Sequence, residues 1–233
     1  KGWTLIDADY SQIELRVLAS IAEDEHMIEA FRNHEDIHRQ TAAQVFHLTP
    51  LEVTPLMRSR AKAVNFGIVY GIGAFSLSQD IGVSVAEADS YIEGYLDTYR
   101  GVAQYMKNIK EFAKENGYVV TLMGRRRYLP ELSSSNRNMR NFGERVAMNT
   151  PIQGTAADII KIAMVRVSEA LEKAGLQTKL ILQVHDELIL AAPPEEVNRA
   201  SAILKEEMEN AVHLKVPMEV DVHAGENWLA AKG

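Results

Sequence analysis

Two short apolar runs, one near each end of the chain, each deliver a carboxylate at their tip. Thr4-Leu5-Ile6-Asp7-Ala8-Asp9 reads as a strand over residues 3 to 9. Lys179 to Val184 and Glu187 to Ala191 read as two strands joined by a tight turn at His185-Asp186. A last strand is expected over Met218 to Val222, where apolar residues alternate with polar or charged ones.

Between these ends the pattern is helical. Ser11, with Glu14 three residues on, is a candidate cap for a helix carrying Ile13, Val17 and Ile21. Helices are expected around Glu25 to Arg32 and Ile37 to Phe46. Thr54-Pro55 is a cap and first-turn pair, opening a helix that runs to about Tyr70 and stops at Gly71 and Gly73. Ser84 with Glu87 is a second capping box, starting a long helical stretch interrupted at Gly101 and ended by Gly117. Tyr118 to Leu122 and Arg125 to Leu129 flank Met123-Gly124 as a β-hairpin. A helix then runs to about Asn149, is broken by Pro151 and Gly154, and is followed by another from Thr155 to Gly175. After Pro193-Pro194 an amphipathic helix presents Val197, Ala200, Leu204, Met208 and Val212 on one face. With strands at both ends and helices between, the predicted fold class is α+β: a small antiparallel sheet with packed helices and a mostly helical insertion.

Composition adds bounds. A chain of 233 residues with 46% hydrophobic content has a sizeable core, as one large domain or two smaller ones. Short, charge-interrupted apolar runs predict no membrane span and no signal peptide, and hence a cytoplasmic protein. The absence of cysteine excludes disulfides and thiolate metal sites. A start at Lys1, without Met, suggests a portion of a longer protein. The net charge of -7 is unevenly spread. Arg58, Arg60 and Lys62 form one basic cluster, Arg125, Arg126, Arg127, Arg137, Arg140 and Arg145 a second, while the region after Glu195 is mostly acidic. Such segregation permits a basic groove for phosphate on an acidic protein, although either cluster could equally be a solvated face.

Asp9 and Asp186, if the fold brings them together, would suit Mg²⁺, a hard cation that takes one or two carboxylates and keeps room for substrate phosphates. Taken singly, Asp9 is explained as a strand-end acid near a helix start and Asp186 as a turn former. A second signal lies in the helix after Thr54. Steps of four residues drift only about 40° around a helix, so Arg58, Lys62, Phe66 and Tyr70 share a slanting stripe. Its cations could hold a triphosphate while its aromatics stack a base, unless the rings face the core and the cations are merely solvated.

Together, Asp9-Tyr-Ser-Gln-Ile-Glu14, Arg58…Lys62…Phe66…Tyr70-Gly71 and His185-Asp186-Glu187 resemble the three polymerase motifs of the A-family DNA polymerases, of the bacterial DNA polymerase I kind. The similarity runs on through the Gly124-Arg-Arg hairpin, Asn149-Thr-Pro-Ile-Gln153-Gly154 and Gly225-Glu-Asn-Trp228, covering essentially the whole chain.

The resemblance implies a template-directed DNA polymerase core that adds deoxynucleoside triphosphates to a primer 3′-hydroxyl with release of pyrophosphate. Its cofactors would be two Mg²⁺ ions, replaceable by Mn²⁺, held by Asp9, Asp186 and the Tyr10 carbonyl, with Glu187 an accessory acid. Arg58 and Lys62 would clamp the triphosphate, Lys62 also acting as general acid; Phe66 would stack on the nucleotide, and Tyr70 would sit at the template end. Gln12 and His38 match residues near the nucleotide. Glu14 matches one that closes the space beside the sugar 2′ position, although a capping role alone would also explain it. Gly71, Arg145, Asn149, Gln153 and His185, with Tyr70, match residues at the primer-template DNA. The implied division is palm over 1–36, fingers over 37–145 and palm again over 146–233, in a monomer joined upstream to a thumb and an exonuclease-like domain. A fragment that binds DNA and nucleotide without extending a primer is the alternative.

Overall fold

The computed structural model of the protein describes residues 2–232. Strand β1 (Thr4–Tyr10) is followed by helices α1 (Ile13–Ala22), α2 (Glu25–Arg32), α3 (Ile37–Val45) and α4 (Pro55–Tyr70). Helices α5 (Ala74–Ile81), α6 (Val85–Thr98) and α7 (Arg100–Asn116) lead to the hairpin β2 (Tyr118–Val120) and β3 (Arg126–Tyr128). The long α8 (Arg137–Lys173) is followed by β4 (Lys179–Val184), β5 (Glu187–Ala192), α9 (Val197–Glu209), β6 (Val220–Gly225) and α10 (Trp228–Ala231). The α+β class expected from the pattern is the one that forms.

The described residues pack as two units, one of residues up to Ile13 with Ala156 onward, the other Glu14–Thr155. In the first, an antiparallel sheet of order β4-β5-β1-β6 places β1 in its interior. Alternation gives β1 two chemically distinct faces. Ile6, Ala8 and Tyr10 are buried on one, where the Tyr10 hydroxyl donates to the Met208 carbonyl of α9 at 2.7 Å. The amphipathic α9 meets this face with Ala200, Leu204 and Met208 buried. Asp7 and Asp9 occupy the other face of β1.

In the second unit α4 carries the predicted caps: the Thr54 side chain accepts from Met57 N–H, Pro55 takes the first turn, and Gly71 closes the helix at φ 67°. A left-handed terminal residue costs glycine little, which is why the helix stops there. Ala42, Ala43, Val53 and Ala61 join α3 to α4, and Ala113, Val119, Leu129 and Ala147 join α7, the hairpin and α8.

Several expected boundaries move. Pro151 does not break α8; the helix runs through it. A proline there forfeits one amide and crowds the carbonyl four residues back, yet packing offsets the loss. Tyr105 donates to the Met148 carbonyl at 3.0 Å, Thr155 donates back to the Pro151 carbonyl, and Ala147 and Ile152 are fully buried. Gly154 is a place of close approach, since a Cβ there would lie 2.6 Å from Thr121 Cγ2. Similarly, the break between α6 and α7 falls at Tyr99, with φ -99° and ψ 70°, and Gly101 lies inside α7. Its amide donates to Asp24 Oδ2 at 2.8 Å, and a Cβ would meet the Ala22 carbonyl oxygen at 2.8 Å. The last strand starts and ends later than expected because pairing with β1, from Tyr10↔Val220 to Leu5↔Gly225, sets its extent. Helices α5 and α10, bounded by Gly73 and Gly82 and capped by Asn227, were not foreseen.

Candidate functional site

The acids of the first unit converge as the strand pattern requires. β5 pairs with β1 so that Asp9 faces Glu187, and Tyr10 N–H donates to the Asp186 carbonyl at 3.3 Å. The β4–β5 turn that presents Asp186 carries His185 in the left-handed region at φ 51°, and Gln183 Nε2 donates to the His185 carbonyl at 2.7 Å. Residues directly opposite in an antiparallel pair project to the same side, so Asp9 and Glu187 share a face, with Asp7 two residues away on it.

This face is a crowded anionic site. One carboxylate oxygen each of Asp7, Asp9 and Glu187 is buried without a hydrogen-bond partner. Burial first, then the neighbouring charges of Asp186, Glu187 and Asp7, push the Asp9 carboxyl up to about 6. Burial likewise raises Asp7 and Asp186 above the ordinary carboxylate range, with Glu187 adding to both. Partial compensation comes from Trp228, which the sequence offered only as the end of a matching segment, and from Lys232, which it did not single out. Trp228 Nε1 donates to Asp7 Oδ2 at 3.0 Å, and Lys232 Nζ pairs with Glu187 Oε1 at 2.6 Å. Asp7 was legible from period-two alternation with Asp9; Trp228 and Lys232 arrive through tertiary packing of α10. Among the described residues no group of three or more histidine or acid side chains closes into a metal cage. Buried, unpartnered carboxylate oxygens with raised proton affinity nevertheless suit an open divalent-cation site completed by substrate.

In the second unit, the stripe on α4 faces outward. Lys62 and Tyr70 are exposed and Phe66 is half-buried, whereas Ala61, Val64, Asn65 and Ile68 face the interior. The alternative with both rings in the core is thereby ruled out. Lys62 Nζ stands 6.0 Å from the Phe66 ring centroid, and Phe66 stacks on Tyr70 at 6.4 Å with 16° between planes. Arg58 Nε donates to Asp36 Oδ2 at 2.6 Å, while Asp36 Oδ1 accepts from the amides of His38 and Arg39 and caps α3. Although burial opposes it, these bonds leave the Asp36 carboxyl below its ordinary value. His38 is buried beside Phe66, with ring centroids 5.9 Å apart.

The end of α4 meets α8. A cavity of about 680 Å³ is lined by Phe66, Tyr70, Gly71, Ser76, Asp80 and Arg145, among others. A Cβ on Gly71 would fall 2.8 Å from Met148 Cε, so glycine serves both the cap and the contact. The Asn149 carboxamide lies against the last carbonyls of α4, its nitrogen 3.4 Å from the Tyr70 oxygen in one orientation and toward Val69 and Arg145 in the other. Gln153 is half-buried farther along α8, and Glu14 stands in the first turn of α1. Gln12, at φ 53°, belongs to the turn after β1.

A mostly helical chain with an acid-tipped antiparallel sheet and a cation-aromatic helix matches what comparison with known proteins returns. The family profile described as DNA polymerase family A matches residues 1–230, and the chain belongs to that family. DNA polymerase I of Caldicellulosiruptor bescii is 55% identical over 231 residues, covering 99% of this chain and 27% of that protein. For Bacillus subtilis DNA polymerase I the identity is 54%, covering 100% and 26%; for the thermostable DNA polymerase I of Thermus filiformis it is 49%, covering 100% and 28%. The chain thus spans about a quarter of the length of these relatives. A solved structure described as the POL domain of Pol1 from M. smegmatis in complex with DNA primer-template and dNTP superposes with a TM-score of 0.96 at 45% identity, covering all of this chain and 41% of that one.

Proposed function

We propose that this chain is the nucleotidyl-transfer core of a template-directed DNA polymerase, joining deoxynucleoside triphosphates to a primer 3′-hydroxyl. The observation that carries this reading is the meeting of Asp7, Asp9 and Glu187 on one sheet face, each with a carboxylate oxygen left unpartnered, with Asp186 near enough to push the Asp9 carboxyl up. Family membership and a relative solved with primer-template and dNTP support it.

Asp9, Asp186 and the Tyr10 carbonyl would hold two Mg²⁺ ions, or Mn²⁺. When bound, these supply Lewis acidity to the hydroxyl and to the phosphates. Arg58 and Lys62 bind the triphosphate, and Phe66 stacks on its base. The 3′-hydroxyl gives up its proton to solvent as a bond forms between the 3′-oxygen and the α-phosphorus and the bond to the departing pyrophosphate breaks. Lys62 donates a proton to that leaving group. Glu187 and Lys232 set the charge around Asp9, Gln12 and His38 contribute to nucleotide binding, and Glu14 excludes a 2′-hydroxyl. Tyr70, Gly71, Arg145, Asn149, Gln153 and His185 contact primer-template DNA and test base-pair shape without reading sequence. The palm, fingers and palm division over 1–36, 37–145 and 146–233 belongs to the same proposal.

A second reading follows from length. A chain covering about a quarter of its relatives could bind nucleotide and DNA yet extend a primer only within the longer protein. Primer extension with Mg²⁺, on this chain and on the full-length parent, with Asp186→Ala as control, decides. Extension by the chain establishes the first reading; extension by the parent alone establishes the second. A parent with both aspartates that incorporates nothing sinks the polymerase proposal.

A further inference from the structure

Behind the stripe on α4 lies a buried polar chain that neither composition nor periodicity revealed. Asn65, fully buried, faces inward between Val64 and Phe66. Its Nδ2 lies 3.0 Å from His38 Nδ1 and 3.1 Å from Thr41 Oγ1. The Thr41 hydroxyl is 2.8 Å from the Ile37 carbonyl, and the Tyr99 hydroxyl is 3.0 Å from Thr41 Oγ1. We propose that Asn65 is a positioning residue that holds His38 as the neutral tautomer with its proton on Nε2, beside Arg58 and Lys62.

Wherever the Thr41 proton goes, the chain makes the same demand on His38. Thr41 has a single hydroxyl proton, which goes to the Ile37 carbonyl at 2.8 Å or to Asn65 Oδ1 at 3.2 Å, both acceptors with none to give. Thr41 Oγ1 then accepts from Tyr99 and from one Asn65 amide proton. The second Asn65 proton points at His38 Nδ1, which must accept and so carries no hydrogen. The charged groups facing His38 favour the same outcome. Asp36, at the start of α3, draws the ring toward the cation, but burial, Arg58 and Lys62 act against it and bring His38 down to about 4.

The chemical consequence rests on the nucleotide-binding reading of α4. A neutral Nε2–H donates to a phosphate oxygen at any pH from about 5 to 8, where a histidine near its ordinary value would change charge. His38 therefore adds a donor to the two cations without adding a titration.

The tautomer is read by ¹⁵N-correlated NMR of the histidine rings in the 233-residue chain, without nucleotide, with His38 assigned by comparison with His38→Gln. Between pH 5 and 8 the expected spectrum has a proton-free Nδ1 and a protonated Nε2, unchanged across the range. Asn65→Asp replaces the donor by an acceptor; the proton then appears on Nδ1 and the ring becomes an imidazolium near neutral pH. A wild-type ring protonated at Nδ1, or doubly protonated above pH 5, overturns the proposal even if the variant does not fold. So does an Asn65→Asp protein whose His38 tautomer is unchanged. Titration with dTTP and Mg²⁺ supplies the functional arm: Asn65→Asp gains affinity by about tenfold from pH 8 to pH 6 as a unit charge is added near the phosphates, beyond any change in the wild type. Equal pH dependence in the two proteins overturns the positioning role. If the wild type shows the expected tautomer but binds no dTTP, the nucleotide-binding reading falls and the tautomer assignment stands.

Discussion

Arg58 Nε donates to Asp36 Oδ2 at 2.6 Å, and the other oxygen of the same carboxylate caps helix α3. One side chain therefore serves both a helix start and a cation proposed to hold the triphosphate. Asp36→Ala removes the cap and is expected to cost about 1 kcal/mol in urea unfolding. The pH dependence has a definite sign. Because the Asp36 carboxyl is lowered on folding, its contribution is complete above the unfolded value of 3.8 and disappears as pH falls through the lower folded one. An Asp36→Ala protein that loses as much stability upon acidification as the wild type would contradict this.

Asp9 has the opposite sign. Its carboxyl rises from 3.8 to about 6 on folding, so the metal-free protein binds more protons folded than unfolded between those values. Stability falls as pH rises through this window, and it stays lower above it. Asp9→Asn is expected to raise the melting temperature of the EDTA-treated protein at pH 7 by roughly 2–4 °C, equivalent to about 1 kcal/mol after discounting for partial solvation. Mg²⁺ or Mn²⁺ should raise the wild-type melting temperature and leave Asp9→Asn and Asp186→Asn unmoved. Equal responses in all three proteins would count against a cation site on this face.

Two glycines allow a paired test of what blocks a side chain. At Gly154 an added methyl meets a single side-chain methyl, that of Thr121; at Gly101 it meets backbone at Ala22 and Asp24 and threatens the 2.8 Å bond to Asp24. Urea unfolding should show Gly154→Ala losing about 1 kcal/mol and Gly101→Ala about 3 kcal/mol. The reverse order would mean that the α1–α2 turn yields more readily than a packed threonine.

Glu14, in the first turn of α1, is proposed to exclude a 2′-hydroxyl. In the full-length parent, Glu14→Ala should raise ribonucleotide incorporation relative to deoxyribonucleotide while leaving deoxyribonucleotide extension within about tenfold. Unchanged discrimination in paired single-nucleotide assays would return Glu14 to a helix-start role.

Local chemistry was the most legible part of the chain. Thr54-Pro55 and Gly71 bracket α4 because a cap, a preset φ and a left-handed stop act within a few residues. The turn at His185-Asp186 could be read for the same reason, and alternation placed Asp9 at the tip of β1. What escaped depends on distant partners. Pro151 and Gly101 are helix breakers by propensity, overruled by Tyr105 and Asp24 from elsewhere in the unit. Asn65 carries no signal of its own until folding brings it against His38 and Thr41. Lys232 meets Glu187 only because α10 returns beside β1, so the charge balance of the site could not be counted from neighbouring residues.

The interior position of β1 has a dynamic consequence. Strand Thr4–Tyr10 is hydrogen-bonded on one side to β5 and on the other to β6. Its amides have no edge from which to fray, so they should exchange with deuterium only when the sheet itself opens, among the slowest in the molecule. Asp7 and Asp9 thus ride on one of the last segments to loosen. Four charges forced together would otherwise drift apart, and the ladders on both sides keep repelling carboxylates in register on the timescale of global unfolding.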